Sequence, residues 1–364
     1  MNRALSGLAN GSTVLPGWAN EEEDMKRATL SAMTLAVLAP LPAAANDTQA
    51  NVTMGGLIFE PNDQVSMDSE DLFLSLDRVR VRYTYTNHGD KPVTLLVAFP
   101  LPDVPLEGAD PEWVEAAYPD LDLIDMKTLV NGKPAGLMRI DIAKVNGKDV
   151  DKRLKELGWP AVHWKDPDFA ARLNALSADD KSALVAEGLL TTEFVTEGDV
   201  RPAWTVSTSF VRTQTFPPGV PITVEHSYSP MQGGTVGSAL GRDSRDSGRL
   251  HPDSEYVSKY CVDDAFLRGF DRKRYLPSGK ENELVFPIEN WIGYALAPGA
   301  NWKGPIKRFR LTVDKGEPDR LVSLCMDGIK KVSPTRFEVI KTDYEPTRDL
   351  DLLFVTFAPI EGGQ

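Results

Sequence analysis

From Arg78 to Tyr85 the chain alternates strictly, with Val79, Val81, Tyr83 and Tyr85 interleaved with Arg78, Arg80, Arg82 and Thr84. A period of two puts every apolar side chain on one face of an extended strand and the polar ones on the other. A helix would scatter the same side chains around its axis, so the segment demands a sheet with one dry and one wet face. Upstream, Leu72, Leu74 and Leu76 alternate in the opposite parity, and the switch near Asp77 predicts a bulge or a sheet corner. Asn87-His88-Gly89-Asp90 then predicts a turn into Pro92–Phe99, completing a long hairpin. Asn131-Gly132 is a strong hairpin turn between Met126–Val130 and Leu137–Ile142.

Further strands are expected over Trp204–Phe216, Ile222–Tyr228, Trp291–Leu296, Ile306–Val313, Leu321–Cys325, Phe337–Thr342 and Leu350–Phe357, with Pro217-Pro218-Gly219 as a tight connection between the first two. Long strands joined by short turns predict a mainly β chain of antiparallel sheets stacked as a sandwich. Two helical segments interrupt it. Between Asp149 and Leu190 the apolar spacing becomes Leu154, Leu157, then Phe169, Leu173, Leu176, then Leu184, Val185, Leu189, and Ser177 with Asp180 forms a capping box. The second helix is expected over Asp253–Phe270 and carries Cys261. Gln232–Gly248, rich in Gly, Ser, Arg and Asp, reads as a mobile loop before it.

The compartment is read from the N-terminal region. Lys26 and Arg27 are followed by an apolar run from Ala28 to Leu41 and by Ala43-Ala44-Ala45, the three parts of a secretory signal peptide in order. The run is short for a membrane span, which needs about 20 apolar residues. The acids Glu21, Glu22, Glu23 and Asp24 would cancel the positive region, so Met25 reads as the start and residues 1–24 as a misassigned or disordered leader. The expected organisation is a leader over 1–24, a signal peptide over 25–45, a β domain over 46–235 with a helical insertion at about 149–190, a mobile loop and helix over 236–280, and a C-terminal β region over 281–364 that packs on the first. Cleavage before Asn46 leaves 37 basic and 49 acidic residues, a net charge of −12. Such a chain repels nucleic acid and anionic lipid, and both are rejected as primary partners. An unknown protein or cell-envelope partner is expected instead, with no stable membrane span after cleavage.

An exported chain with only two cysteines, Cys261 and Cys325, most simply joins them. Two free thiols or a metal pair are the alternatives, the latter without a Cys-x-x-Cys or a nearby His to support it. A bond would close a loop of 64 residues.

Several of these segments together resemble one family. They are Thr53-Met-Gly-Gly-Leu-Ile-Phe, Ser69-Glu-Asp-Leu-Phe, Arg78-Val-Arg-Val-Arg-Tyr, Ala98-Phe-Pro-Leu-Pro-Asp, Thr215-Phe-Pro-Pro-Gly, Glu225-His-Ser-Tyr-Ser-Pro, Asn301-Trp-Lys-Gly-Pro-Ile and Val322-Ser-Leu-Cys. The chain resembles the domain of unknown function 4424 family, and the resemblance implies a periplasmic or secreted bacterial protein. It implies no reaction and supplies no catalytic residues.

No catalytic residue, metal ligand or cofactor is expected. Asp120-x-Asp122-x-x-Asp125, in the acidic stretch from Asp103 to Asp125, offers oxygens of the kind that bind calcium, but without the EF-hand spacing, and it reads more simply as a solvated loop. Of four histidines, His88 lies in a turn and His226 alternates with Val224 and Tyr228 on a strand face. His226 with Glu225 and Tyr228 would serve acid–base chemistry only with a nucleophile nearby. Gly237-Ser238-Ala239-Leu240-Gly241 has the wrong spacing for a nucleophile elbow. Gly233-Gly234-Thr235-Val236-Gly237 lacks the Lys-Ser/Thr of a phosphate cradle. Trp159, His163 and Trp164 cluster after the first inserted helix as either a recognition platform or the packing of the insertion, and with His226 they form the candidate binding surface. Trp291 and Trp302 read as core or corner residues. The functional expectation is a non-catalytic exported binding or scaffold protein; the alternative is an envelope hydrolase with its site near His226 and the Gly233–Gly237 loop.

Overall fold

The alternation at Val79 becomes a strand, Val79–Asn87, in which Val79, Val81, Tyr83, Tyr85 and Asn87 are buried while Arg80 and Arg82 face solvent. The computed structural model describes residues 48–53, 56–104, 124–193 and 195–360; the expected leader and signal peptide, and most of the acidic stretch, lie outside them. The strand sits inside an eight-stranded sheet. Across that sheet the order is Lys330–Lys331, Arg336–Tyr344, Ile306–Asp314, Val65–Leu74, Val79–Asn87, Ile222–Tyr228, Lys127–Val130 and Lys133–Pro134. Neighbours are antiparallel except Ile306–Asp314 against Val65–Leu74, which run parallel.

The parity switch near Asp77 is a hairpin turn rather than a bulge or a corner. Leu72 pairs with Val81 and Leu74 with Val79, and Ser75 closes the turn by donating its backbone N–H to the Arg78 carbonyl at 3.1 Å. Directly opposed residues share a face, and here each pair joins an even position to an odd one. The register does shift elsewhere on this strand, between Met67 and Ser69.

The expected hairpin beyond Asn87 does not form, because the chain changes sheets there. Asn87 holds the corner: its Nδ2 donates to the carbonyls of Lys91 (2.9 Å) and Phe216 (2.8 Å), and its Oδ1 accepts from Gly89 N–H. Val93–Pro100 enters a six-stranded antiparallel sheet with Gly56–Glu60, Thr48–Thr53, Thr205–Phe216, Met138–Val145 and Lys148–Asp149. Asn131-Gly132 is the expected turn, with φ of 49° and 74°. However, it joins Lys127–Val130 only to Lys133–Pro134, after which Met138–Val145 crosses to the six-stranded sheet.

A four-stranded sheet, in the order Gly233–Val236, Val285–Tyr294, Leu350–Pro359, Leu321–Leu324, completes the architecture, apart from a short pair, Leu190–Thr191 with Arg201–Pro202. The main core lies where the inward faces meet: Leu72, Tyr83, Tyr85 and Phe309 of the large sheet cluster with Phe99, Phe216, Tyr294 and Phe354 of the other two. Each such side chain contributes about 1.5–3 kcal/mol by leaving water. Fully buried Glu70 is not left alone among them, since Tyr294 donates to its Oε1 at 3.2 Å and itself meets the Tyr83 hydroxyl at 2.9 Å.

The stretch expected to be a mobile loop begins as a strand. A Cβ at Gly233 would overlap the Trp291 indole, so glycine there lets the tryptophan lie across the edge strand. The single helix expected over Asp253–Phe270 is two, Glu255–Ser258 and Asp264–Arg274, because Cys261 between them takes a φ of 53°. Asp263 caps the second by accepting from Phe266 N–H at 2.7 Å. Cys261 is bonded to Cys325, just past the strand Leu321–Leu324, and ties the helix pair to the four-stranded sheet. Phe266, Leu267 and Phe270 pack there on Leu353 and Val355.

The helical insertion consists of Asp151–Leu157, Phe169–Asn174 and Ala178–Ala186, with a 3-10 turn at His163–Lys165. Ser177 caps the last helix as expected, accepting from Asp180 N–H at 3.1 Å and donating to its carboxylate at 2.6 Å. Leu154, Phe169, Leu173 and Leu184 form a separate core with Trp204 and Val206, at the start of the strand Thr205–Phe216.

Candidate functional site

The insertion ends at a cleft. Trp204 is its foundation: 1% exposed, it stacks on Trp159 with ring centres 6.2 Å apart, meets Phe169 and His163 edge-on, and donates its indole N–H to the Ala161 carbonyl at 2.8 Å. That bond fixes the loop between the first helix and the 3-10 turn, and so fixes His163 and Trp164. The cleft, of about 490 Å³, is lined by His163, Trp164 and Trp204 together with Asn146, Glu193 and Arg201. This volume falls in the small-molecule range. Arg201 is positioned by donating its Nε–H to the Glu193 carbonyl at 2.7 Å. A second hollow of about 270 Å³ lies beside His163, Trp164 and Phe169.

Two residues of this region stand out chemically. The Trp164 Nε1, like that of Trp291, is buried without an acceptor among the described residues, and an unmet buried donor costs about 1–3 kcal/mol. Burial, and then the charge of Arg201, lower the His163 pKa to about 4, so the imidazole is neutral at pH 7. Its ordinary value is 6.5. Between pH 6.5 and 4 the unfolded chain therefore holds a proton that the folded chain lacks, and stability rises with pH across that window. Acidification from pH 7 to 4 is expected to remove about 3 kcal/mol through this residue, with no further loss from it below pH 4. Urea denaturation of the wild type and His163→Phe at both pH values checks this. The variant should lose less stability on acidification, and equal losses would contradict the assignment.

Of the four residues of the expected binding surface, the structure brings together Trp159, His163 and Trp164, with Trp159 behind the cleft wall rather than on it. His226 lies elsewhere. It is 2% exposed, with the Phe99 ring 4.6 Å and the Tyr83 ring 5.9 Å away, and its Nδ1 is 2.7 Å from the Thr128 hydroxyl. Glu225 is on the opposite face of the strand, 3.9 Å from Arg82, because consecutive strand residues point apart. Tyr228 shares the buried face, its hydroxyl without a hydrogen-bond partner among the described residues, and burial pushes its phenol pKa far up. The trio therefore does not converge, and Gly233–Val236 belongs to a different sheet. His88 Nε2 sits 2.7 Å from the Ser66 hydroxyl, and His251 is exposed beside Asp253.

The ends of the acidic stretch are described. Asp103 accepts from the Ser207 hydroxyl, and Asp125 pairs with Lys127 at 2.7 Å. Asp120 and Asp122, which the calcium reading needs, lie outside the described residues. Among the described residues, no group of three or more His, Cys, Asp or Glu side chains could hold a metal ion, and no helix is long and apolar enough to cross a membrane.

Sequence reasoning missed Trp204, Arg201, Glu193 and Asn146 as cleft residues. Asn146-Gly147, with φ of 49° and 74°, is a second turn of the same kind as Asn131-Gly132 and was open to the same recognition. Nothing local marks Arg201 or Glu193.

A family model described as domain of unknown function (DUF4424) matches residues 45–353. Among curated proteins there is no match. A crystal structure from Legionella pneumophila, of a protein for which nutrient binding is itself a proposal, is 16% identical, covers 86% of this chain and 72% of its own, and gives a TM-score of 0.39. An M1 zinc metallopeptidase from Deinococcus radiodurans is 8% identical over 81% of this chain and 43% of its own, with a TM-score of 0.25. Neither likeness is close enough to carry an argument about this chain.

Proposed function

Because the chain belongs to the DUF4424 family, which brings a domain but no reaction, we propose on the strength of its cleft that it is an exported, non-catalytic binding protein whose ligand is a small molecule. The cleft beside the helical insertion carries the proposal: aromatic rings and charged side chains line it together, around a volume of about 490 Å³. A concave site with a few fixed polar groups among apolar ones is what small-molecule recognition requires. This favours a small solute over the protein or envelope partner suggested by composition. Export is supported by the signal-like segment at Met25–Ala45 and by the Cys261–Cys325 bond. A hydrolase centred on His226 is not supported, because that side chain is sealed in the core.

A thermal-shift panel of amino acids, organic acids, amines and sugars tests the site. At least one compound should raise the Tm of the wild type and leave Trp164→Ala unmoved, with the variant's fold verified by circular dichroism. The site is wrong if no compound raises the wild-type Tm, or if every compound that does so raises the variant equally. Fractionation of cells expressing the full chain tests export: a periplasmic form lacking residues 1–45 is expected, and an unprocessed cytoplasmic protein would overturn it.

A further inference from the structure

We propose a second small-molecule site, on the solvent face of the eight-stranded sheet and independent of the cleft: a hollow that takes an organic monocarboxylate with a small apolar body. Two rows of outward side chains frame it. Phe73, Arg80, Ser227 and Lys127 oppose one another across four adjacent strands and form the first row. Asp71, Arg82, Glu225 and Leu129 form the second, one step along the same strands. Between the rows, Val81 and His226 turn their side chains to the core. Backbone alone therefore floors the gap, and a hollow of about 370 Å³ opens there.

Charge selects the ligand. The acids of the second row already have cations: Glu225 lies 3.9 Å from Arg82, and Asp71 lies 3.5 Å from Arg310. In the first row Lys127 pairs with Asp125 at 2.7 Å. Arg80 differs from all of these. Among the described residues it has no ion-pair or hydrogen-bond partner, and its guanidinium lies over the Phe73 ring, 4.5 Å from the ring centre. Stacking on an aromatic face orients a guanidinium and leaves its N–H edge to meet a carboxylate in a two-pronged bond. The Ser227 hydroxyl, next along the row, has no hydrogen-bond partner among the described residues and adds a donor beside it. One unneutralised cation matches one negative charge, and a dianion would bring its second charge against Glu225 and Asp71. Phe73 and Leu129 supply apolar surface for the body of the ligand.

Isothermal titration of the purified protein near pH 7 with three probes of one chain length tests the site: hexanoate, hexanamide (no charge) and hexylamine (the opposite charge). Hexanoate is expected to bind about tenfold or more tighter than either of the others, the worth of a hydrogen-bonded charge. Arg80→Gln, an exposed change whose fold circular dichroism verifies, should lower hexanoate affinity by about the same factor. Arg249→Gln, which removes an exposed arginine outside the hollow, should leave it unchanged. The assignment is overturned if hexanoate does not bind or if hexanamide or hexylamine binds as tightly. It is overturned equally if hexanoate affinity survives Arg80→Gln, as it would were the acid held in the cleft, or if Arg249→Gln weakens it to the same extent.

Discussion

Trp204→Ala is expected to lose about 3–5 kcal/mol of stability, the range for removing a large aromatic side chain from a packed interior, and to abolish ligand binding with it. The residue is 1% exposed and touches Trp159, His163 and Phe169, so the void would open between the insertion and the strand it sits on. The substitution also leaves the Ala161 carbonyl without its indole donor. Both losses fall on the loop that carries His163 and Trp164. Trp204→Phe keeps most of the volume and should cost less than the alanine variant while still releasing that loop. Urea denaturation measures the first effect and ligand titration the second. An alanine variant within about 1 kcal/mol of wild type would mean that the insertion does not depend on this side chain.

Removing the disulfide should have a comparable effect on stability and a different one on function. The bond closes a loop with a sequence separation of 64, for which chain-entropy arithmetic gives about 4 kcal/mol, an upper figure because native strain subtracts from it. Cys261→Ala with Cys325→Ala should therefore lower the urea midpoint substantially. What loosens first should be the helix pair packed on Leu353 and Val355, since the Ser323 hydroxyl bond to the Tyr260 carbonyl, at 2.9 Å, is one of the few polar ties beside it. The cleft belongs to another cluster, so the double variant should bind ligand with unchanged affinity at temperatures where it remains folded. An unchanged midpoint would contradict the stabilising role, and lost affinity in a folded variant would contradict the independence of the two regions.

Strand positions were legible because burial on one face imposes a two-residue rhythm. Val79–Tyr85 and Ile222–Tyr228 announce themselves in this way, and their observed burial follows the rhythm. Strand partners were not legible. Asn87 and Asn131 mark turns, but whether the chain returns to its own sheet or crosses to the next depends on contacts far along the sequence, such as the Asn87 bond to the Phe216 carbonyl. Gly233 and Gly234 carry no side-chain rhythm at all, and the tryptophan that makes them a strand is 58 residues away. The same division applies to the cleft. Trp159, His163 and Trp164 stand out as a local aromatic cluster. Arg201 and Glu193 come together through a two-residue ladder and a hydrogen bond from the Arg201 side chain to the Glu193 carbonyl, and Trp204 reads as the first residue of a strand until the insertion packs on it. His226 misled for the opposite reason: its strand was correctly placed, but which face of that strand was sealed depended on Phe99, from another sheet.

Indole N–H resonances offer the most direct view of the cleft, since Trp164 and Trp204 line it and the chain has only seven tryptophans. Two-dimensional 1H–15N spectra, assigned by single Trp→Phe substitutions and recorded during titration with the compound that most raises the Tm, should show the Trp164 indole signal moving furthest. The Trp204 signal should follow it, while those of Trp291 and Trp302 stay in place. Saturable shifts confined to Trp291 or Trp302, or a Trp164 signal that does not move as the compound saturates the protein, would contradict the assignment of the binding site to this cleft.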